Sequence, residues 1–390
     1  MENLYNSFTI KLAEVSTDYV RNIHSQIEWD ARMVAILGAR GVGKSTMVLQ
    51  HIKLHEDISS TLYVSADDIW FSSHTLVELA DKFYKAGGKA LYIDEVHKYK
   101  NWSTELKNIY DTYSTLRVVY TGSSILELQK GGADLSRRKL EYKMPGLSFR
   151  EFLDIKYKYN IPIYTLEDIL LHKVKVDIPD FRPIALFKEY LKEGYYPYFT
   201  EKGYIIRLKS VINRILEEDI PQFAELSATS IAKLKKLLYI IAQSVPFKPN
   251  FSKIGRDLEL YRTTVSDLVQ YLDKAELINT LEDETSGISG LAKIDKIYLN
   301  NPNISYVLSD TEPDIGNVRE TIFFTLTRVL FTVKSSKTAD FTINKYTFEV
   351  GGKNKKQKQI QGVDNAFIVK DDIEYGYLNV IPLWMFGLLY

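Results

Sequence analysis

Cysteine is absent from the 390 residues, which excludes disulfides, thiolate nucleophiles and thiolate-held zinc or iron–sulfur sites, and fits a reducing cytoplasm. Histidine is scarce: six residues scattered along the chain argue against an imidazole metal cage. Neither charge sign is in excess. Fifty Lys+Arg balance fifty Asp+Glu, so a polyanionic partner would have to meet a local patch rather than the field of the whole molecule. Long apolar runs are also missing. The most membrane-like stretch, residues 380–390, is interrupted by Pro382 and Gly387 and falls short of the ~20 residues of a spanning helix; the N-terminus lacks a basic-then-apolar signal pattern. A cytoplasmic chain with no membrane partner is expected. What the chain has is ample apolar material, 45% of its residues, enough for two or three domains.

Four β-rich runs at 32–37, 61–65, 89–94 and 117–121 alternate with helical patterns, which predicts an α/β core with a parallel sheet over residues 1–145. From 146 to 226 the apolar spacing becomes helical, as in Ile205, Leu208, Val211, Ile212, Ile215 and Leu216, and reads as a helical lid or connector. Residues 227–312 carry three helical patterns followed by strand-like runs at 277–281 and 294–299 around a Gly/Ser/acidic turn at 282–290, the order of a winged helix. Residues 313–390 open with a helix around 320–330 and continue as strands at 338–343, 346–350, 366–369 and 377–381, a small α/β domain.

The sharpest local signal is Gly38-Ala39-Arg40-Gly41-Val42-Gly43-Lys44-Ser45, a G-x-x-x-x-G-K-[ST] phosphate loop placed after a strand and before a helix. Its glycines let backbone N–H groups wrap a phosphate at a helix N-terminus, Lys44 adds a point charge and Ser45 a magnesium ligand, with Thr46 next in the turn. Fifty residues on, the apolar strand Ala90-Leu91-Tyr92-Ile93 ends in Asp94, a second Mg²⁺ ligand, and Glu95, which would polarise an attacking water. The acid after the magnesium aspartate suits hydrolysis, and no N-K-x-D guanine-reading element follows, so ATP is expected over GTP. Asp94-Glu95-Val96-His97 also spells a helicase-like box, but no second phosphate-loop sheet is in sight, which makes His97 a structural or surface residue. The strand ending Thr121-Gly122-Ser123-Ser124 offers a γ-phosphate sensor, Ser123 being preferred, or an ordinary helix cap. Arg137 and Arg138 beyond it could reach a neighbouring subunit's ATP as an arginine finger, or form a solvated face.

Together GARGVGKST, LYIDEVHKYKNW, VVYTGSS and LSRRKLEYKMPGLSFREFL resemble the prokaryotic AAA+ ATPases of the archaeal-ATPase-like group. The resemblance implies the same order of parts across nearly the whole chain: P-loop AAA+ core, helical section, winged helix and a C-terminal domain like the PD-(D/E)XK nucleases. It favours Arg138 as the finger, and in the tail it rests on Glu320, Asp340 and Glu349 with Lys353. The usual E-x-K puts the lysine two residues after the glutamate, yet Gly351 stands there and Lys353 lies four beyond, so the nuclease-like domain is expected to be inactive.

In the winged helix, 251–260 and 261–274 would form the helix-turn-helix, with Leu268, Val269 and Leu272 inward and Arg262, Thr263, Thr264, Ser266 and Gln270 outward. Asp267 and Asp273 would interrupt the positive face. Residues 331–370 hold eight lysines against three acids, with Lys353, Lys355, Lys356 and Lys358 clustered as a phosphate-facing patch or a solvated loop. The expected activity is ATP hydrolysis with Mg²⁺ that drives conformational change, acting on DNA as a homo-oligomer. The alternatives are a signalling or scaffold ATPase whose winged helix binds protein, and an ATP-gated DNA nuclease.

Overall fold

The computed structural model describes residues 1–124, 135–244, 246–283, 294–309 and 311–390, so most of the turn expected at 282–290 lies outside the described residues. Contacts group the chain into two compact units, Met1–Pro145 and Gly146–Tyr390.

The first unit opens with α1 (Glu2–Glu14), which buries Leu4, Phe8 and Leu12 at four-residue spacing, and a short 3-10 turn at Asn22–Gln26. There follow β1 (Met33–Gly38), α2 (Lys44–His55), β2 (Thr61–Ser65), α3 (Leu76–Lys85), β3 (Ala90–Asp94), α4 (Trp102–Thr112), β4 (Arg117–Ser123) and β5 (Leu140–Lys143). The strands form one sheet in the order β2-β3-β4-β1-β5, every pair parallel. All six residues of β1 are buried, as a central strand covered on both faces requires. The helices start where local chemistry favours it: Thr75 and Glu78 form a reciprocal capping box at α3, below the apolar stripe Leu76, Leu79, Ala80 and Phe83. The four strands expected over residues 1–145 are present within two residues at either end. The fifth strand was not expected, because Leu-Glu-Tyr-Lys is a mostly exposed, polar edge with no buried face to write a pattern. Parallel strands all end on the same side, so the residues after β1, β3 and β4 meet at one edge.

The second unit begins with α5 (Phe149–Tyr157), α6 (Leu166–Leu170), α7 (Pro183–Glu193) and α8 (Tyr204–Arg214), which passes through a π turn at Ile215–Asp219 into α9 (Ile220–Ala224). Of the expected apolar stripe, Leu208, Ile212, Ile215 and Leu216 are buried while Ile205 is exposed. Then come α10 (Ala228–Gln243), α11 (Phe251–Leu258), α12 (Arg262–Lys274) and an antiparallel hairpin of β6 (Ile278–Glu282) and β7 (Ile294–Leu299). Gly255 fits the tight α11–α12 corner because any Cβ there would lie 2.6 Å from the Leu260 carbonyl oxygen. After α13 (Pro302–Leu308), α14 (Ile315–Thr327) packs on a mixed sheet of β8 (Val333–Ser335), β9 (Phe341–Ile343), β10 (Tyr346–Gly351), β11 (Ala366–Lys370) and β12 (Val380–Pro382), ordered β12-β11-β10-β9-β8. Phe323 of α14 meets Phe341, Phe348 and Phe386 in its core. The apolar stretch Leu383–Leu388 is a buried 3-10 segment of this core, and no helix among the described residues is long and apolar enough to cross a membrane.

Candidate nucleotide site

Residues 38–43 join β1 to α2 as a loop in which Gly41 (φ 87°) and Gly43 (φ 97°) adopt left-handed conformations that side chains resist. This turn brings the start of α2, with its positive dipole end, to the sheet edge. Lys44 is buried, and its Nζ donates to the carbonyls of Gly38 and Ala39, both at 2.9 Å. Arg40 is half-buried at the loop, Val42 is buried and Thr46 is exposed on the first turn of α2. From below, Arg21 braces the loop, donating to the carbonyl of Val42 at 2.9 Å and to that of Pro145 at 2.9 Å.

Asp94 ends β3 at this edge, 5% exposed. Its Oδ2 accepts from the Tyr63 hydroxyl at 2.7 Å, and its Oδ1 accepts from Thr121 Oγ1. Ser45 lies near the same hydroxyl. Burial, and then the neighbouring Asp94 charge, push the Tyr63 phenol far above its usual pKa, so it stays a donor at any working pH. Ser45 and Asp94 both neighbour the Tyr63 phenol, and their oxygens are the hard ligands that Mg²⁺ takes. Glu95, one residue on, is held at φ 54°, a backbone region costly for a side-chain-bearing residue. Its N–H donates to Thr121 Oγ1 at 3.1 Å, and its Oε2 lies 3.2 Å from Nε2 of the buried His97. His97 Nδ1 in turn accepts from the backbone N–H of Ser123 at 3.4 Å. His97 is therefore a buried link between Glu95 and the end of β4. At that end Thr121 touches both acids through its side chain, whereas Ser123 is tied in through its backbone. Sequence pattern found Lys44, Ser45, Asp94 and Glu95; it did not single out Tyr63, whose only signal is an aromatic residue inside a buried strand.

Arg138 Nε and Nη2 grip the two oxygens of Asp111 at 2.9 and 3.0 Å, while Arg137 is exposed. This two-pronged pair is half open to solvent, where such pairs contribute little and exchange readily.

The second unit gathers a different set of charges. Lys296 of β7 lies 3.7 Å from Glu320 and 3.7 Å from Asp340, and Tyr298 donates to Glu320 at 2.8 Å. Glu349 is buried, accepts no hydrogen bond of good geometry, and forms an ion pair with Lys355. Burial raises the pKa of Glu349 against the opposing pull of Lys355, and raises that of Glu320 with help from Asp340. The expectation of an acidic pair lacking its lysine is thus corrected. Lys353 is exposed, but a turn closed by Lys355 N–H on the Gly352 carbonyl at 2.9 Å returns Lys355 to the carboxylates. Lys355 therefore leaves the lysine patch; Lys356 is exposed, and the side chain of Lys358 lies outside the described residues.

On α12 the buried face is Val265, Leu268, Val269 and Leu272, and Arg262, Thr263 and Gln270 are exposed, with Thr264 and Ser266 partly so. A second correction falls on Asp273, which accepts from the Thr280 N–H at 2.9 Å and so belongs to the hairpin contact, leaving Asp267 as the acid on the open face. A third concerns histidine. His24, His51 and His55 are not scattered in space but converge, with ring nitrogens within 4.8 Å of one another.

A five-stranded parallel sheet in this order, a glycine loop opening a helix after β1 and an acid pair at the end of β3, with β4 between the two strands, define an α/β P-loop core of the AAA+ type. Residues 30–153 match the family described as an AAA domain, and residues 184–314 match a domain of unknown function (DUF8612). An uncharacterized protein of Methanocaldococcus jannaschii is 27% identical over 281 residues, which is 66% of this chain. The match spans 58% of that relative's length. Among solved structures, the Aeropyrum pernix ORC1 protein in complex with DNA is similar at a TM-score of 0.32 and 14% identity, over 78% of this chain and 92% of that one. A chain from a structure of katanin self-assembly gives 0.30 and 14%, over 69% and 81%.

Proposed function

We propose that the first unit binds and hydrolyses ATP with Mg²⁺, and that this cycle drives a conformational change in the second unit, acting on DNA in a cytoplasmic homo-oligomer. The convergence of phosphate loop, Ser45, Asp94 and Glu95 at one sheet edge carries the reading. In this reading Lys44 leaves the loop carbonyls for the β/γ-phosphate oxygens, and the backbone N–H groups of Gly41, Val42 and Gly43 cradle the β-phosphate. Ser45 and Asp94 hold the metal, which supplies charge neutralisation at the phosphates. Glu95 orients water once released from His97, and Thr121 or Ser123 senses the γ-phosphate.

For DNA, α10–α12 with the β6–β7 hairpin serve as a winged helix that presents Arg262, Thr263 and Gln270 to phosphates and base edges. The displacement of Asp273 from that face supports the reading. ATP turnover measured with and without duplex and single-stranded DNA tests it. Stimulation is expected; turnover indifferent to DNA, with no DNA binding, would instead favour a signalling or scaffold ATPase whose winged helix contacts protein.

Arg138 is the proposed finger acting in trans, after exchanging Asp111 for a neighbour's γ-phosphate. Arg138→Ala should lower turnover about 10³-fold with ATP affinity nearly unchanged, Arg137→Ala should not, and activity per subunit should rise with protein concentration. Asp111→Asn, which loosens the resting pair, should leave turnover intact. A fully active Arg138→Ala protein whose rate ignores concentration would return the arginine to a surface role.

The return of Lys355 to Glu349 favours a second reading, an ATP-gated nuclease, in which Glu320, Asp340 and Glu349 hold a divalent cation and Lys355 stabilises the cleaved phosphodiester. The check is plasmid nicking with Mg²⁺ or Mn²⁺ and ATP. Cleavage abolished by Asp340→Ala and Lys355→Ala would establish it; intact plasmid under all these conditions would leave the tail as a binding domain.

A further inference from the structure

Outside the phosphate site, the first unit holds a cleft of about 400 Å³ whose lining includes His24, Trp29, Asp30, His51, His55 and Glu56. His24 comes from the 3-10 turn, whereas His51 and His55 stand one turn apart near the end of α2, so i, i+4 spacing puts both on one helix face. His24 Nε2 and His51 Nδ1 share a hydrogen bond at 3.1 Å, close to the separation of about 3.3 Å that two nitrogens take on a tetrahedral ion with 2.0–2.1 Å bonds, so an ion would take the place of the shared proton. The indole of Trp29 stacks on the His51 ring at 3.8 Å and 8°, which fixes its plane and turns its two nitrogens toward His24 and Glu56.

The tautomer is prepared as well. His51 Nε2 is 3.5 Å from Glu56 Oε1, and that carboxylate is itself locked by the Arg117 guanidinium at 2.8 and 3.0 Å and the Tyr92 hydroxyl at 2.7 Å. A proton on Nε2 directed at Glu56 leaves the Nδ1 lone pair aimed at His24, the carboxylate–histidine arrangement that orients imidazoles on metals. Burial opposes the charge on Glu56, but hydrogen bonds from His51, Arg117 and Tyr92 outweigh it and hold the pKa at about 2.

We propose that His24 Nε2, His51 Nδ1 and a ring nitrogen of His55 form a site for a borderline divalent metal of the zinc class, with Glu56 orienting His51 from outside the coordination sphere. Three imidazoles select such ions over Mg²⁺, which prefers oxygen, so this site is separate in chemistry from Ser45 and Asp94. His55 is exposed and can rotate to close the remaining gap. The fourth position faces the open cleft, where Asp30 or water can complete the coordination. A bound ion would pin the turn carrying His24, three residues from the loop brace Arg21, to the helix that begins at Lys44.

The inference does not depend on ATP hydrolysis, and its test keeps the two apart. Metal-free full-length protein is titrated with Co²⁺ alone and then Zn²⁺. One equivalent of Co²⁺ should bind with the visible absorption of a nitrogen-rich, low-coordinate site, and Zn²⁺ should displace it. His55→Ala, at an exposed position, and His24→Gln should each weaken binding at least tenfold; His74→Ala and Lys44→Ala should not, and thermal melting confirms folding of all four. Absence of binding at submillimolar metal, or binding unchanged in both His24→Gln and His55→Ala, would overturn the proposal and leave the three rings as an aromatic stack on Trp29.

Discussion

Lys44→Ala should abolish productive ATP binding, with affinity falling roughly ten- to a hundredfold or more. That range corresponds to losing one charge-assisted contact worth about 1.5–3 kcal/mol. The fold should survive. In the structure the ammonium is satisfied by the carbonyls of Gly38 and Ala39, and the β1–α2 loop is braced by Arg21 on Val42. What the alanine removes is the positive charge placed behind the glycines. Fluorescent ATP-analogue titration checks the affinity, and a melting curve separates loss of binding from loss of structure. Parental affinity in a folded Lys44→Ala protein would put the nucleotide elsewhere.

Glu95→Gln should show the opposite split: ATP retained, turnover lowered about 10²- to 10⁴-fold, the range expected when a positioned general base is lost. The amide keeps the size of the side chain and one acceptor oxygen, so the strained φ of 54° and the N–H bond to Thr121 should persist. Only the carboxylate that would take a proton from water disappears. The contact with His97 adds a second reading of the same residue. The imidazole Nε2 lies 3.2 Å from the Glu95 carboxylate, so His97→Ala should alter the rate without affecting ATP affinity. Equal turnover in Glu95→Gln and the parent protein would remove this residue from the mechanism.

The candidate nucleotide site was legible where chain neighbours are also spatial neighbours. Residues 38–46 act as one turn and residues 90–95 as one strand end, so their chemistry is written in consecutive letters. Tyr63 was hidden because its role depends on β2 lying beside β3, with Tyr63 paired to Tyr92 in the register, a relation no spacing encodes. Thr121 was visible as one of three candidate polar residues, and it took the parallel register of β4 to bring its side chain onto Asp94. The three histidines were read as scattered because they sit at positions 24, 51 and 55; a 3-10 turn folded against α2 makes them neighbours. Lys355 was missed for a related reason. The E-x-K expectation assumes a continuing strand, whereas the chain leaves β10 at Gly351 and turns back, so the period of two no longer applies. In the fold, β5 escaped because its mostly exposed residues impose no pattern, whereas β8 and α13 are partly buried but only three and seven residues long, too short to show a period.

The hairpin strand β7 supplies Lys296 and Tyr298 to carboxylates that belong to α14 and the mixed sheet. This makes an evolutionary unit out of two pieces that look separable along the chain. A recombination event that transplanted residues 313–390 without the hairpin would carry Glu320 away from both its phenol and its ammonium, stranding an acid that is 19% exposed in the parent. Such chimeras should be counter-selected, whereas exchanges that carry the hairpin and the sheet together preserve the pairing. Among descendants, substitutions at Lys296 and Tyr298 are therefore expected to track those at Glu320 and Asp340 rather than those on the exposed face of α12.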